Sequence, residues 1–459
     1  MRKRAHKAGL SGTAALIALS LAACTLSNPK GGSGQDGFLL SKAEYPKMAS
    51  YPDETEYLDS DNTLKDSFYD AYDAWWDQRR EKMDPRAELT EGEKTFYEKS
   101  IRELLTDSQG ENRVCSPLSL HLALGMLAEL TDGNSRGQIL SLLGEDSLPA
   151  LRDRAELLWN TNYCNDGAVT SVLASSLWLN QSVSLVPSTM DSIARHYRAS
   201  SYQGEMGTDA FNQALQDWLN EQTGGLLKEQ AEGIKLTPET ILALATTVYF
   251  RSKWSSEFSE SQTTDGTFLA PGGETDCRFM HQSGSRDYYW GSRFSAVAQY
   301  LENNGAMWFL LPDEGISPEE LLQDREAMDF LLANGRWDNS KFLTVNLSLP
   351  KFDVSSDLDL IEDLKTLGIT DVFDPECSDF SPMTRDTDEI FLSQAKHAAR
   401  VSIDEEGCTA AAYTVMAACG AAAPPEEEID FVLDRPFLFV ITGPSGTPLF
   451  TGIVNRPAA

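Results

Sequence analysis

Glu405-Glu406-Gly407-Cys408-Thr409-Ala410-Ala411-Ala412-Tyr413-Thr414 opens a run of small, weakly polar residues that reaches Ala423, where Pro424-Pro425 and three glutamates close it. As a strand in the middle of a sheet, the run would put Cys408, Ala410, Ala412, Thr414, Met416, Ala418 and Gly420 on one face, because strand side chains alternate. That face is small or uncharged throughout, so burying it desolvates no charge. Gly407 supplies backbone freedom where the run begins. Taken alone, an alanine run is equally a surface loop or a short helix, since alanine is the best helix former. The residues around it decide between a passive loop and a mobile segment able to become a strand.

The chain has 459 residues and 41% hydrophobic content, enough to bury one large core or two ordinary ones. A formal charge of −32 argues against a nucleic-acid partner, whose phosphates need clustered Lys and Arg. The histidines His6, His121, His196, His281 and His397 are scattered, and there is no HExxH, P-loop or GxSxG. Gly443-Pro444-Ser445-Gly446 lacks the order a nucleophile turn requires. No catalytic residue, cofactor or metal is therefore expected. Cys115, Cys164, Cys277, Cys377, Cys408 and Cys419 form no CxxC or zinc-like pair, and are expected to be mostly unpaired thiols.

Arg2, Lys3, Arg4 and Lys7 precede an apolar stretch, Ala14 to Leu21, that is too short to span a bilayer and reads as an export signal. Leu21-Ala22-Ala23-Cys24 then resembles the lipobox of a bacterial lipoprotein. The resemblance implies cleavage after residue 23 and a lipid on Cys24, whose acyl chains would anchor the protein outward-facing on the cell envelope. Residues 24–94 read as a tether. Within it, Asp53 to Asp77 carries nine acids and one lysine, interleaved with Tyr57, Phe68, Tyr69, Tyr72, Trp75 and Trp76. So many aromatics argue for a helix over Leu64–Lys82, lying on the main domain.

The main domain, 95–459, is expected to open with a helix whose buried face holds Phe96, Ile101, Leu104 and Leu105. In Asn112-Arg113-Val114-Cys115-Ser116-Pro117-Leu118-Ser119-Leu120, Ser116 can cap a second helix and Pro117 suits its first position. Ser171–Leu179 reads as a strand, Asn212–Thr223 as a helix stopped by Gly224-Gly225, and Leu236–Phe250 as a central strand buried on both faces.

From this point the chain resembles the serpin family. Asn112, Ser116, Pro117 and Ser119 fit its N-x-x-x-S-P-x-S element. Tyr249-Phe250-Arg251-Ser252-Lys253-Trp254 resembles its F-K-G-x-W strand end, with Thr246 where the family usually has Asn and Ser252 where it has Gly. Met307 to Gly315, Leu349-Pro350-Lys351-Phe352, Leu364 to Phe373, Ser393-Gln394-Ala395-Lys396-His397, Arg435 to Phe439 and Leu449 to Gly452 match further family motifs in the right order.

The resemblance implies an α+β serpin fold: a central mixed sheet, further sheets, about eight to nine helices and an exposed reactive centre loop near 405–428. It implies a monomeric inhibitor whose cleaved loop inserts into the central sheet and traps the protease as an acyl-enzyme. The hinge would comprise Glu405, Glu406, Gly407, Cys408, Thr409, Ala410, Ala411, Ala412 and Thr414. Asn112, Ser116, Ser119, Trp254, Lys351 and His397 occupy positions that control sheet opening, Lys351 pairing with Glu405. Cys408 stands where Thr or Ser is usual, and Thr409 where an acid is. The family interval from Gly407 puts the reactive bond between Ala421 and Ala422, within a window from Cys419 to Pro424. Small residues there suit an elastase-like serine protease, or a cysteine protease; no Lys or Arg lies between Glu406 and Glu428 to suit a trypsin-like one. The alternative is a non-inhibitory member acting as a surface binding protein.

Overall fold

A computed structural model describes residues 35–61, 63–82, 85–302, 305–386, 390–408 and 425–457. Cys24 and residues 409–424, with Thr409, Ala410, Ala411, Ala412, Thr414, Ala421 and Ala422, lie outside the described residues.

In chain order the strands are β1 (Leu39–Ser41), β2 (Arg113–Cys115), β3 (Cys164–Asn165), β4 (Val169–Asn180), β5 (Ala199–Gly204), β6 (Leu242–Lys253), β7 (Thr264–Ala270), β8 (Gly273–Trp290), β9 (Phe294–Tyr300), β10 (Ala306–Pro312), β11 (Ser340–Pro350), β12 (Phe352–Asp359), β13 (Lys396–Ile403), β14 (Gly407–Cys408), β15 (Glu428–Val432), β16 (Phe437–Thr442) and β17 (Pro448–Val454). They form two sheets. The first runs β1-β5-β4-β6-β14-β13-β12 with β3 beside β4. The second runs β15-β11-β8-β9-β10-β16-β17-β2 with β7 beside β8. Both are mixed, since β4–β5 and β11–β15 are parallel and the other pairs antiparallel. The described residues include eleven α-helices, eight of them at least eight residues long.

Helix α1 spans Asp66–Lys82, α2 Glu91–Thr106 and α3 Pro117–Leu130. Helix α1 begins two residues later than the aromatic pattern implied, because Leu64 bridges back to Leu58. Helix α2 begins at Glu91, four residues before Thr95. Thr90 Oγ1 accepts from Glu93 N–H at 3.2 Å while the Glu93 carboxylate accepts from Thr90 N–H at 2.8 Å, a reciprocal cap that sets the start. Its Phe96, Ile101, Leu104 and Leu105 are all buried in the main core.

Helix α3 starts where the Ser-Pro pair places it, with Ser116 Oγ accepting from Ser119 N–H at 3.2 Å and Pro117 at the first position. It is wrapped on nearly every side, so its Leu118, Leu120, Leu122, Leu124 and Leu127 are all interior rather than forming one stripe. Strand β6 departs from the expectation at both levels. It begins at Leu242, not Leu236, because Thr237–Thr240 close a turn through Thr240 N–H to Thr237 O, 3.0 Å. It is also only half-buried at many positions, including four in succession from Ala243 to Thr246, so both faces are incompletely covered. Helix Asp209–Gln222, capped by Thr208, does end at Gly224 and Gly225, both in the left-handed region at φ 59° and 82°.

The segment before α2 lies on the body. Strand β1 pairs with the outer edge of β5, Leu39 opposite Tyr202 and Ser41 opposite Ser201. Phe38 packs edge-on to Phe211, and Tyr45 meets Trp159 and Tyr163. Tyr51 and Tyr72 pack on Trp75, which is buried.

A buried ion pair ties α2 to helix Leu148–Asn162: Arg154 Nε and Nη2 donate to the two Glu93 oxygens at 2.5 and 2.6 Å. Removing one partner of such a pair strands the other charge in the interior. Glu93→Ala is expected to cost about 3–5 kcal/mol, read as a lowered urea midpoint at unchanged slope.

Candidate functional site: the hinge at the head of the first sheet

Strand β13 ends at Ile403 and the chain reverses through Asp404–Glu406 before β14. Asp404 Oδ1 accepts from Glu406 N–H and Gly407 N–H at 3.0 and 3.2 Å, and Asp404 N–H donates to Gly407 O at 3.0 Å. This turn delivers Gly407 and Cys408 between two longer strands. Gly407 pairs with Lys253 and Cys408 with Ser252 on β6, while Ile403 of β13 pairs with Cys408. No strand pairing joins β6 to β13 directly among the described residues. The described part of the strand between β6 and β13 is thus Gly407–Cys408, flanked by strands of twelve and eight residues.

Gly407 is needed for proximity. Its φ lies outside the left-handed region, but a Cβ there would sit 2.3 Å from Ser252 O. The structure adds a close-approach requirement at this position. Cys408 is buried at 2% exposure, its Sγ 3.8 Å from Met307 Sδ. Burial pushes its thiol pKa well above the ordinary range, with Asp404 adding to the effect.

Glu405 and Lys351 meet. Lys351 Nζ donates to Glu405 Oε2 at 2.6 Å, and Thr263 Oγ1 donates to Oε1 at 2.8 Å. Burial works to raise the Glu405 pKa, but the Lys351 and Thr263 hydrogen bonds outweigh it, and the carboxyl lies below its usual range. Trp254, almost fully buried, holds the same turn from β6: its N–H donates to Glu406 O at 3.0 Å and its Nε1–H to Asp404 O at 2.9 Å. Thr263 and Asp404 were missed in the sequence. Thr263 acts across a separation of 142 residues, whereas the Asp404 carboxylate closes a local turn on the N–H groups two and three residues on, an Asp-turn pattern that could have been read.

The N-terminal end of α3 lies against the two strands that flank β14. Ser119 Oγ donates to Thr246 Oγ1 on β6 at 2.9 Å, and Ser116 N–H donates to His397 Nε2 on β13 at 2.9 Å. One helix end therefore touches both strands that flank β14. Thr246 keeps a polar tie there with its hydroxyl. Asn112 stands apart from this group: its amide oxygen accepts from Asn455 and Arg456 N–H at 2.8 and 2.9 Å, and its Nδ2 donates to Arg456 O at 2.7 Å. It fastens the end of β17. Among the described residues no three His, Cys, Asp or Glu gather as a metal site.

A chain whose first mixed sheet holds Gly407 and Cys408 between two longer strands, alongside a second mixed sheet, matches a known family. The family model "Serpin (serine protease inhibitor)" matches residues 91–457. The chain belongs to the serpin family. It is 29% identical over 368 residues to the leukocyte elastase inhibitor of Sus scrofa, covering 78% of this chain and 96% of that one. It is 28% identical over 366 residues to Serpin-Z2B of Triticum aestivum, covering 76% and 91%. Among solved structures it resembles native Arabidopsis AtSerpin1, at a TM-score of 0.70 and 25% identity over 80% of this chain and 99% of that one. It also resembles the native thermophilic serpin tengpin, at a TM-score of 0.71 and 24% identity, covering 80% and 95%. The serpin match begins at Glu91, so β1 and α1 precede it.

His397 accepts the Ser116 N–H, so it is neutral with its proton on Nδ1. Burial lowers its pKa from 6.5 to about 4. An unfolded chain takes up the proton near pH 6.5 while the folded one refuses it until about pH 4. Stability should therefore fall as pH drops through that window, since the unfolded state binds more protons there. His397→Gln is expected to show a shallower loss of urea midpoint between pH 7 and pH 4 than the parent.

Proposed function

We propose that this serpin inhibits serine endopeptidases as a suicide substrate, with elastase-like enzymes as its targets. The observation that carries the reading is the seating of Gly407 and Cys408 between β6 and β13, immediately before a run of small and uncharged residues in the sequence. The protease serine attacks the Ala421 carbonyl, the bond to Ala422 breaks, and Ala422 leaves as an amine while Ala421 stays as an ester on the enzyme. The freed chain end then extends β14 downward between β6 and β13. Alternate residues Ala410, Ala412 and Thr414 enter on the Cys408 face, where none brings a charge. The inhibitor supplies no catalytic group; it stalls the acyl-enzyme before water completes hydrolysis. A relative named for leukocyte elastase supports the choice of target, as do the small residues around Ala421. We also read Cys24 as the lipid attachment point, on the strength of Leu21-Ala22-Ala23-Cys24.

Incubation with pancreatic or neutrophil elastase followed by denaturing electrophoresis should give a covalent complex whose mass is the protease plus the inhibitor lacking its C-terminal fragment. Clean cleavage without complex, across a panel of serine and cysteine proteases, would make the chain a non-inhibitory binding protein.

Ala412→Arg tests insertion itself. A guanidinium on the buried face is costly to desolvate, so the variant should be cleaved at the parental rate and yield at least about tenfold less complex. Complex formation equal to the parent would remove strand insertion as the mechanism.

A further inference from the structure

We propose that α1, which precedes the family-matched region, is a brace that holds the first sheet closed through Arg79; this rests on the insertion reading above. The contacts are specific. The Arg79 guanidinium lies over the Trp75 ring at 4.5 Å, and its Nε is 3.4 Å from Asp166 Oδ2. Its Nη1 donates to Glu302 O at 2.9 Å. The same Asp166 oxygen accepts from Trp75 Nε1–H at 3.0 Å, and Oδ1 accepts from Ala168 and Val169 N–H at 3.1 and 2.9 Å. Tyr51 N–H donates to Asp166 O at 2.6 Å. The side chains of Arg79 and Asp166 are 8% and 0% exposed, so water does little to screen the pair.

The two partners of Arg79 sit on different parts of the molecule. Asp166 is in the β3–β4 turn of the first sheet, and Glu302 follows β9 of the second. Each is one step from the hinge. Val169, at the end of that turn, pairs with Ser252 from one side while Cys408 pairs with it from the other. Glu302 N–H donates to the carbonyl of Lys253, the partner of Gly407.

A full strand inserted between β6 and β13 must widen the sheet by about one strand spacing, roughly 4.8 Å. Strands β4 and β6 can then separate from β13 only by shifting over the second sheet. Arg79 joins the tip of β4 to that second sheet, and a 2.9 Å hydrogen bond does not survive such a shift. The brace thus opposes opening in the intact molecule. Strand β1 adds to it by fixing the preceding segment along the edge of β5.

Full-length protein and its Arg79→Ala, Arg79→Lys and Arg80→Ala variants are held just below the unfolding midpoint. The fraction converted, with the loop uncut, to a form resistant to urea is followed over time. Losing a charge-assisted contact to a buried carboxylate should speed Arg79→Ala conversion about tenfold or more. Arg79→Lys keeps the charge without the fork and should be intermediate, which preserves the test if the alanine variant folds poorly. Arg80 pairs with Asp77 on the exposed side of α1, so Arg80→Ala should convert at the parental rate. Equal rates for Arg79→Ala and parent, or equal acceleration by Arg80→Ala, overturn the brace. If cutting the parent's loop produces no urea-resistant form, insertion itself fails and the proposed function falls with the brace. A cut parent that becomes resistant beside an unaccelerated Arg79→Ala overturns the brace alone.

Discussion

The first sheet is organised around Gly407 and Cys408, the two residues held between β6 and β13. Among the described residues, β6 and β13 are joined in strand pairing only through Gly407 and Cys408, which pair with Lys253 and Ser252 on one side and Ile403 on the other. Polar contacts hold the two sides of the sheet at this point. Lys351 and Glu405 secure the head, Trp254 grips the turn, and the first turn of α3 reaches β6 through Ser119 and β13 through Ser116. These contacts are few and short-ranged.

The electrostatics follow the same economy. The chain is strongly acidic, yet its buried acids are individually matched. Glu93 takes Arg154, Glu129 takes Arg152, Asp166 takes Arg79, and Glu405 takes Lys351. Leaving any of these carboxylates in the interior without its partner costs more than the pair gains at the surface. The excess negative charge therefore sits outside, where it favours solubility and carries no information about fold.

Much of this was legible in the residues, and the limits have physical causes. Ser116-Pro117 announces the start of α3 because capping is a local rule, and Gly224-Gly225 stops a helix for the same reason. The ordered motifs from Asn112 to Gly452 identify the family because they share one core. Thr90-x-x-Glu93 was a readable cap that set the start of α2 earlier than Thr95. What local rules cannot supply is partnership over distance. Nothing near Asp166 in sequence says that Trp75, Arg79 and Tyr51 converge on it, and Thr263 gives no sign that it serves Glu405. Gly407 was legible as a required glycine, but one constraint on it, a neighbouring carbonyl, is visible only once β6 is in place. Strand β6 was placed too early because an apolar run does not show where a Thr-Pro turn interrupts it.

Cys408 carries one more consequence. Its sulfur lies against Met307, out of reach of solvent, and its proton is held so tightly that the reactive thiolate is scarcely present. A thiol reagent in solution can therefore reach it only while the head of the sheet is parted. The residue that marks the entry of the loop is also a built-in shutter counter, recording chemically how often the closed molecule breathes.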